Sequence, residues 1–411
     1  MECDVAIVGA GPAGMAAALS AYENGAEHIV LIDRNNHAGG ILKQCIHDGF
    51  GLIRFRELLT GPEYAKRYVD MLNDTNVRVI TGAMVTKITP SRDITYVART
   101  GLMKLQAKAI VLATGCRERT RGAVSIPGAR PAGIFTAGVA QYMANIQNIK
   151  PGKNAVVLGS GDIGLIMARR LTLEGMHVES VLEILPYCSG LPRNKSQCLD
   201  DYGIPLLLST TVAEIRGQKR LEQIVAATVD ENREIIPGSK REIDCDTLIL
   251  SVGLIPENEL ARECGIIMDE VTGGCIVNDK LETSVSGIFA CGNGLHVHDL
   301  VDHVSSEGEL AGKGAALHSQ GKSAGYAGAI DTVAGEGIRY VLPQKLSAGR
   351  EHNVSVRVLS PHRDCQIDVL AGDELIKTEK LKRANPAEML SIAIPQLCSS
   401  AEHVEVALSG S

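Results

Sequence analysis

The stretch that decides the fold runs Val5–Ala6–Ile7–Val8–Gly9–Ala10–Gly11–Pro12–Ala13–Gly14. Four apolar residues read as a buried strand, and the G-x-G-x-x-G that follows reads as a tight turn opening a helix. The Ala-rich helix is expected to reach Asn24–Gly25, where glycine ends it. A second strand, His28 to Ile32, then finishes at Asp33. The same order returns at Ala155–Val156–Val157–Leu158, with Gly159–Ser160–Gly161–Asp162–Ile163–Gly164, a helix to Gly175, and a strand from His177 to Leu182 that finishes at Glu183. From third glycine to acid is 19 residues in both copies, 14 to 33 and 164 to 183. One such glycine trio is a common accident. Two, each between strand and helix and each with an acid about 20 residues on, read as a pair of dinucleotide-binding units.

The copies also end alike. Ala109–Gly115 and Thr247–Gly253 are apolar strands running into a glycine where backbone must pass close to something. Thr283–Asn293 and an Ala/Gly-rich helix from about Val301 to Gln320 return the chain to the first unit, so the second is inserted in it. From about Gln344 the character changes. Val354–Val358, Gln366–Val369 and Val404–Val406 alternate with period two between prolines, which predicts a small antiparallel β domain. The expected class is α/β, with two Rossmann-like domains and that β domain. The predicted bounds are 1–118 and 276–340 for the outer domain, 119–275 for the inserted one, and 345–411 for the tail.

Composition narrows the function. Among 411 residues the net charge is −7, which argues against a nucleic-acid surface, and no apolar run approaches a membrane span. The start, Met1–Glu2–Cys3–Asp4, has no basic n-region, so neither a signal peptide nor an export route is expected and a cytoplasmic location is predicted. Glycine is abundant at 43 residues, while aromatics are 3% with no Trp, which fits tightly packed α/β layers and argues against an aromatic-lined glycan or single-strand nucleic-acid platform. The 11 cysteines are odd in number, and no two are separated by only two residues. Zinc-ribbon and C-x-x-C redox spacings are therefore absent, and most of the thiols are expected to be buried and reduced.

Each glycine of the motif has its own work: Gly9 for the turn, Gly11 for close approach to a pyrophosphate, Gly14 for helix–strand packing. The helix start at Pro12–Ala13 presents free N–H groups to phosphate. Asp33 either accepts a ribose hydroxyl or is a plain strand-end acid. Gly159, Gly161, Gly164 and Glu183 repeat the pattern, and Gly253 is the close-approach glycine of the second unit. An acid at 183 suits NAD over NADP, although Arg193 and Lys195 downstream leave NADP open.

These trios, with Gly39–Gly40, Ala113–Thr114–Gly115 and Gly287–Ile288–Phe289–Ala290–Cys291–Gly292–Asn293, resemble the pyridine nucleotide–disulfide oxidoreductase superfamily over about residues 1 to 330. The resemblance implies FAD in the outer domain, with Arg34, Gly40, Thr114, Gly115, Gly292 and Asn293 joining the first trio, and NAD in the inserted one. Within the superfamily, Gly40–Gly51, Thr114–Arg119, Gly159–Arg170, His296–His303 and Asn385–Met389 are similar to flavoproteins associated with anaerobic glycerol-3-phosphate dehydrogenases and to opine oxidase and hydrogen cyanide synthase subunits. By that resemblance, hydride passes between nicotinamide and flavin, then on to a partner dehydrogenase subunit or a small cysteine-containing redox protein, in an oligomer.

Two departures matter. The dithiol pairs of the superfamily are missing, so disulfide reduction is not expected. Cys45, five residues after Gly40, is either a flavin-side thiol or a packed one. Asn293 stands where relatives carry Asp, and amide groups still donate and accept. His296, His298, Asp299, Asp302 and His303 fall where relatives direct a helix N-terminus at the flavin; core or solvated histidines are the alternative, and no metal is expected. His47 and His303 are acid/base candidates beside Cys45. Arg117, Arg119 and Arg121 either assist phosphates and the domain interface or form a solvated basic patch. A rival reading is direct oxidation of a small amine or imino acid, and another is a noncatalytic scaffold.

Overall fold

The computed structural model describes residues 1–322, 329–397 and 401–410; Cys398 lies outside them. The described chain forms two compact units, Met1–Cys116 with Pro256–Ser411, and Arg117–Ile255.

In the first unit, Glu2–Val8 lies between Ile29–Ile32 and the long strand Gly101–Leu112, all parallel. Arg78–Ile80 extends one edge and Ile288–Ala290 pairs with Gly101–Leu112 on the other, again in parallel. The first half of Gly101–Leu112 also carries an antiparallel meander, Met84–Ile88 and Asp93–Ala98. Val5, Ile7, Ile29, Leu31, Ile110 and Phe289 are all at most 1% exposed, as a sheet covered on both faces demands. The helices Pro12–Glu23 and Val301–Ser319 cross backbone to backbone. A Cβ on Gly308 or Gly312 would stand 2.2 or 2.1 Å from the carbonyl oxygen of Ala13 or Ala17. The glycine excess is thus spent on helix contacts as well as turns.

The second unit is a five-stranded parallel sheet, Ile134–Thr136, Thr247–Leu250, Asn154–Leu158, His177–Leu182 and Leu206–Leu207, in that order, with a three-stranded antiparallel sheet of Thr210–Gly217, Leu221–Thr228 and Arg241–Asp244. The helix Asp162–Leu173 follows its glycine loop.

Two boundaries differ from the sequence-based expectation. The inserted unit ends at Ile255 and not at 275, because Ala261, Cys264, Ile266 and Cys275 pack in the core of the first unit. The β region begins at Ala329 and not at 345: Ile330, Ile338 and Val341 share one core with Val354, Val356, Ile367, Val369, Val404 and Val406. That core sits between two sheets, antiparallel apart from the parallel pair Ala329–Ala334 and His403–Ser409.

Candidate functional site

At the C-terminal ends of the parallel strands of the first unit, five backbone segments converge, which is where open α/β sheets bind ligands. Gly9 has φ +104°, and a Cβ there would lie 2.2 Å from the carbonyl oxygen of Ala113. A Cβ on Gly14 would lie 1.7 Å from the Gly9 carbonyl oxygen. Both positions are therefore closed to any side chain by the protein itself. Gly11 is different: a Cβ there meets no atom within 4 Å, and its φ of −74° suits any residue. Among the described residues, no backbone or side chain fills the space over Gly11. Gly39 donates its N–H to the Ala10 carbonyl at 2.8 Å, and Gly40 lies against Gly11, bringing the Gly–Gly turn to the rim of that space. Gly292 packs on Ala13, and Gly294 on Thr114, whose buried Oγ1 has no partner among the described residues. An open cradle, a free helix start at Pro12 and an orphaned hydroxyl fit a pyrophosphate-containing group.

Asp33 is buried, and its two oxygens accept the N–H of Ala10 at 2.6 Å and of Asn35 at 2.7 Å. It pins the glycine loop to the end of the neighbouring strand. Glu183 does the same in the second unit, accepting from the N–H and Oγ of Ser160 at 2.9 and 2.6 Å, from the Ser189 hydroxyl, and from the N–H of Leu185. The acid spacing alone, which offers a ribose acceptor or a plain strand-end acid, does not reveal this pinning. Gly161 repeats the Gly11 pattern, with φ −62° and only Ser251 Oγ, at 3.8 Å, near a Cβ; Gly159 and Gly164 are closed by Ser251 and Gly159 backbone at 2.0 and 2.4 Å. Gly253, φ +100°, faces the Arg119 side chain. Arg193 lies in the first turn of the short helix Pro192–Cys198, and Lys195 is paired with Asp200.

Other candidates have partners within the protein. Arg34 pairs with Glu257 at 2.8 Å, and the N–H of Glu257 donates to the carbonyl of Gly115. Arg121 is half-buried, and its guanidinium donates to the carbonyls of Ile126, Gly128 and Ala129. Cys45 ends a short 3₁₀ turn; its thiol donates to the Ile41 carbonyl, and burial pushes its pKa up to about 12. Burial and that hydrogen bond favour the packed thiol of the two readings. With excess iodoacetamide at pH 8, Cys116 and Cys188, both half-buried, are expected to label well before Cys45, read by peptide mass spectrometry; rapid labelling of Cys45 would restore the reactive reading. His47 is half-buried against Phe50, 5.1 Å between ring centres. His303 sits in the first turn of the long helix, its N–H on the Leu300 carbonyl.

Behind Gly292 lies a buried polar network. Glu307 accepts the Gly292 N–H at 2.5 Å through one oxygen, and through the other faces Nε2 of His296 at 2.9 Å and of His298 at 3.5 Å. These three side chains place potential metal-binding atoms within 4.8 Å of one another, and hydrogen bonding already satisfies the carboxylate. Burial holds the pKa of His296 below its ordinary value. Burial also opposes charge on Glu307, but the neighbouring imidazoles outweigh it and hold the carboxyl well below the usual range. Asn293 accepts the His298 N–H at 3.1 Å through its amide oxygen and directs its amide nitrogen at Cys116 Sγ.

A family model described as pyridine nucleotide-disulphide oxidoreductase matches residues 3–308. The chain is 27% identical over 337 residues to one of the subunits of opine oxidase from Agrobacterium tumefaciens (strain Ach5), covering 76% of this chain and 64% of that one. It is 28% identical over 303 residues to the ferredoxin reductase component of chlorobenzene dioxygenase from Cupriavidus sp. (strain PS12), covering 71% and 67%. Among the curated relatives it matches, the chain spans from 27% to 89% of their length, and less than two thirds of that of the opine oxidase subunit. The crystal structure of T. acidophilum thioredoxin reductase superposes with a TM-score of 0.64 at 24% identity, over 78% of this chain and 99% of that one, a likeness of fold. No helix among the described residues is long and apolar enough to cross a membrane.

Proposed function

Because the chain belongs to the pyridine nucleotide-disulphide oxidoreductase family, we propose that it is an FAD-dependent oxidoreductase passing electrons between NAD(H) and a second carrier or a partner dehydrogenase subunit. The observation that carries this reading is the duplicated open glycine, Gly11 and Gly161, each set between glycines that the protein itself closes. Family membership implies FAD and a nicotinamide nucleotide, and FAD, when bound, supplies reversible two-electron exchange with nicotinamide. The chain's own part is to bind and orient. The N-terminus of Pro12–Glu23 directs N–H groups and a positive dipole end at the space over Gly11, and Asp33 keeps lone pairs for a ribose hydroxyl beyond its two N–H partners. Val301–Ser319 opens with N–H groups that have no partner within the helix, a place for charge that develops on reduction.

Electrons need an outlet, and the sequence contains no C-x-x-C pair to take them. Disulfide reduction by this chain alone is therefore not part of the proposal. A protein acceptor suits the segment after Gly40, which exposes Ile41 (59%), Ile46 (39%), Leu52 (48%), Ile53 (58%) and Leu58 (59%) within 18 residues. Clustered exposed apolar residues of this kind mark interaction surfaces. The two relatives above bear the names of components of larger systems, which favours the same arrangement.

The test is anaerobic titration of the FAD-loaded chain with NADH and, in parallel, NADPH, following flavin absorbance. Rapid bleaching by NADH, with NADPH much slower, is the expected result. No bleaching by either would overturn the NAD-linked reading, and bleaching by an amine or imino acid alone would replace it.

A further inference from the structure

We propose that the C-terminal β region is a positioning element for the loop Gly292–Leu300, with Arg357 and Tyr340 as the positioning residues; this rests on the flavin reading of that loop. A continuous hydrogen-bonded chain joins them. Arg357, 9% exposed, lies on the strand His352–Val358, and all three guanidinium nitrogens are engaged: Nε donates to the Tyr340 hydroxyl at 3.2 Å, one terminal nitrogen to the Pro386 carbonyl at 2.9 Å, the other to the Val297 carbonyl at 2.9 Å and to Asp299 Oδ1 at 2.5 Å. The second oxygen of Asp299 accepts the N–H of Met389 at 2.7 Å. Tyr340 continues inward, 3.2 Å from His296 Nδ1, with the two rings edge to face. His296 reaches Glu307, and Glu307 holds the Gly292 N–H.

The far end of this chain has no slack. Gly292 has φ +69°, and a Cβ there would stand 2.8 Å from that of Ala13; one on Gly294 would stand 2.9 Å from Thr114 Oγ1. The loop is wedged between the first helix start and the end of strand Gly101–Leu112, so a displacement of tenths of an ångström alters the cradle. The near end is rigid because Arg357 binds planar, fixed acceptors from three segments, a geometry that a lysine cannot reproduce. Buried polar chains that are fully satisfied specify one arrangement, and breaking one member orphans its neighbours. The β region would then set the flavin environment from behind, without touching the cofactor.

The test uses the full chain loaded with FAD, comparing Arg357→Met, Arg357→Lys and Tyr340→Phe with wild type. FAD dissociation constant, flavin absorbance and midpoint potential are read, alongside the melting temperature of the FAD-free protein. Arg357→Met is expected to weaken FAD at least tenfold and to shift the flavin band and potential, with partial recovery in Arg357→Lys. Tyr340→Phe, which keeps the ring and removes only the hydroxyl, is expected to shift the same signals less, and it carries the test if Arg357→Met does not fold. Wild type that takes up no FAD overturns the flavin reading and this inference together. Wild type that binds FAD, with folded variants matching its affinity, spectrum and potential, overturns this inference alone.

Discussion

Gly11→Ala is expected to leave the fold intact and to weaken FAD binding by roughly a hundredfold, the size of losing one or two hydrogen bonds to a charged group at about 1.5–3 kcal/mol each. The asymmetry among the three glycines is what makes this informative. At Gly14 the new Cβ would sit 1.7 Å from a backbone oxygen, and at Gly9 2.2 Å from another with φ at +104°. Substitution at either would distort strand and helix together, so loss of cofactor there would say nothing about a ligand. At Gly11 the backbone is extended, at φ −74° and ψ −175°, and no protein atom lies within 4 Å of the added carbon. An unchanged melting temperature of the FAD-free variant, with lost affinity by fluorescence titration, identifies the occupant of that space as the ligand. Affinity equal to wild type would mean that the open space over Gly11 is not ligand space, and the assignment of the first unit to FAD would fall with it.

The glycine trios were legible from sequence because their spacing between strand and helix repeats, although Gly9 and Gly159 are closed by Ala113 and Ser251 far along the chain, and Gly11 and Gly161 meet no close protein atom. The period-two pattern at Val354, Val356 and Val358 likewise announced a buried sheet face. The same pattern hid Arg357. It occupies the opposite face, which alternation assigns to solvent, and it is buried because residues 296–299, some 60 positions earlier, lie over it. Glu307 was passed over for a related reason: on its helix it looks like one more surface acid, and only the return of the chain to the first unit sets His296 and Gly292 against it. Asp33 and Glu183 stand out by spacing, but their hydrogen bonds to the glycine loops do not. Spacing identifies an acid at a strand end, whereas the N–H groups of Ala10 and Ser160 that it holds are a product of the folded loop. At Cys45 the sequence leaves a flavin-side thiol and a packed one open, and its burial favours the packed one.

Gly161→Ala separates the two units functionally. Its φ is −62°, and an added Cβ meets only Ser251 Oγ, at 3.8 Å, an ordinary contact, so the second unit is expected to fold. FAD content should equal that of wild type, because the first glycine loop is untouched. Reduction by NADH should slow by about a hundredfold at subsaturating nucleotide, by the same hydrogen-bond arithmetic as at Gly11. The defect should lie in KM more than in kcat, because a methyl group that obstructs pyrophosphate approach removes binding shared by ground and transition states. Dithionite should still bleach the flavin at the wild-type rate, which shows that the cofactor itself is competent. A variant that loses FAD as well would mean that the two glycine loops do not act as separate sites. One that NADH reduces as fast as wild type would place the nicotinamide nucleotide elsewhere than over Gly161. Glu183 would then be a purely structural acid, its four hydrogen bonds to Ser160, Ser189 and Leu185 sufficient reason for its presence.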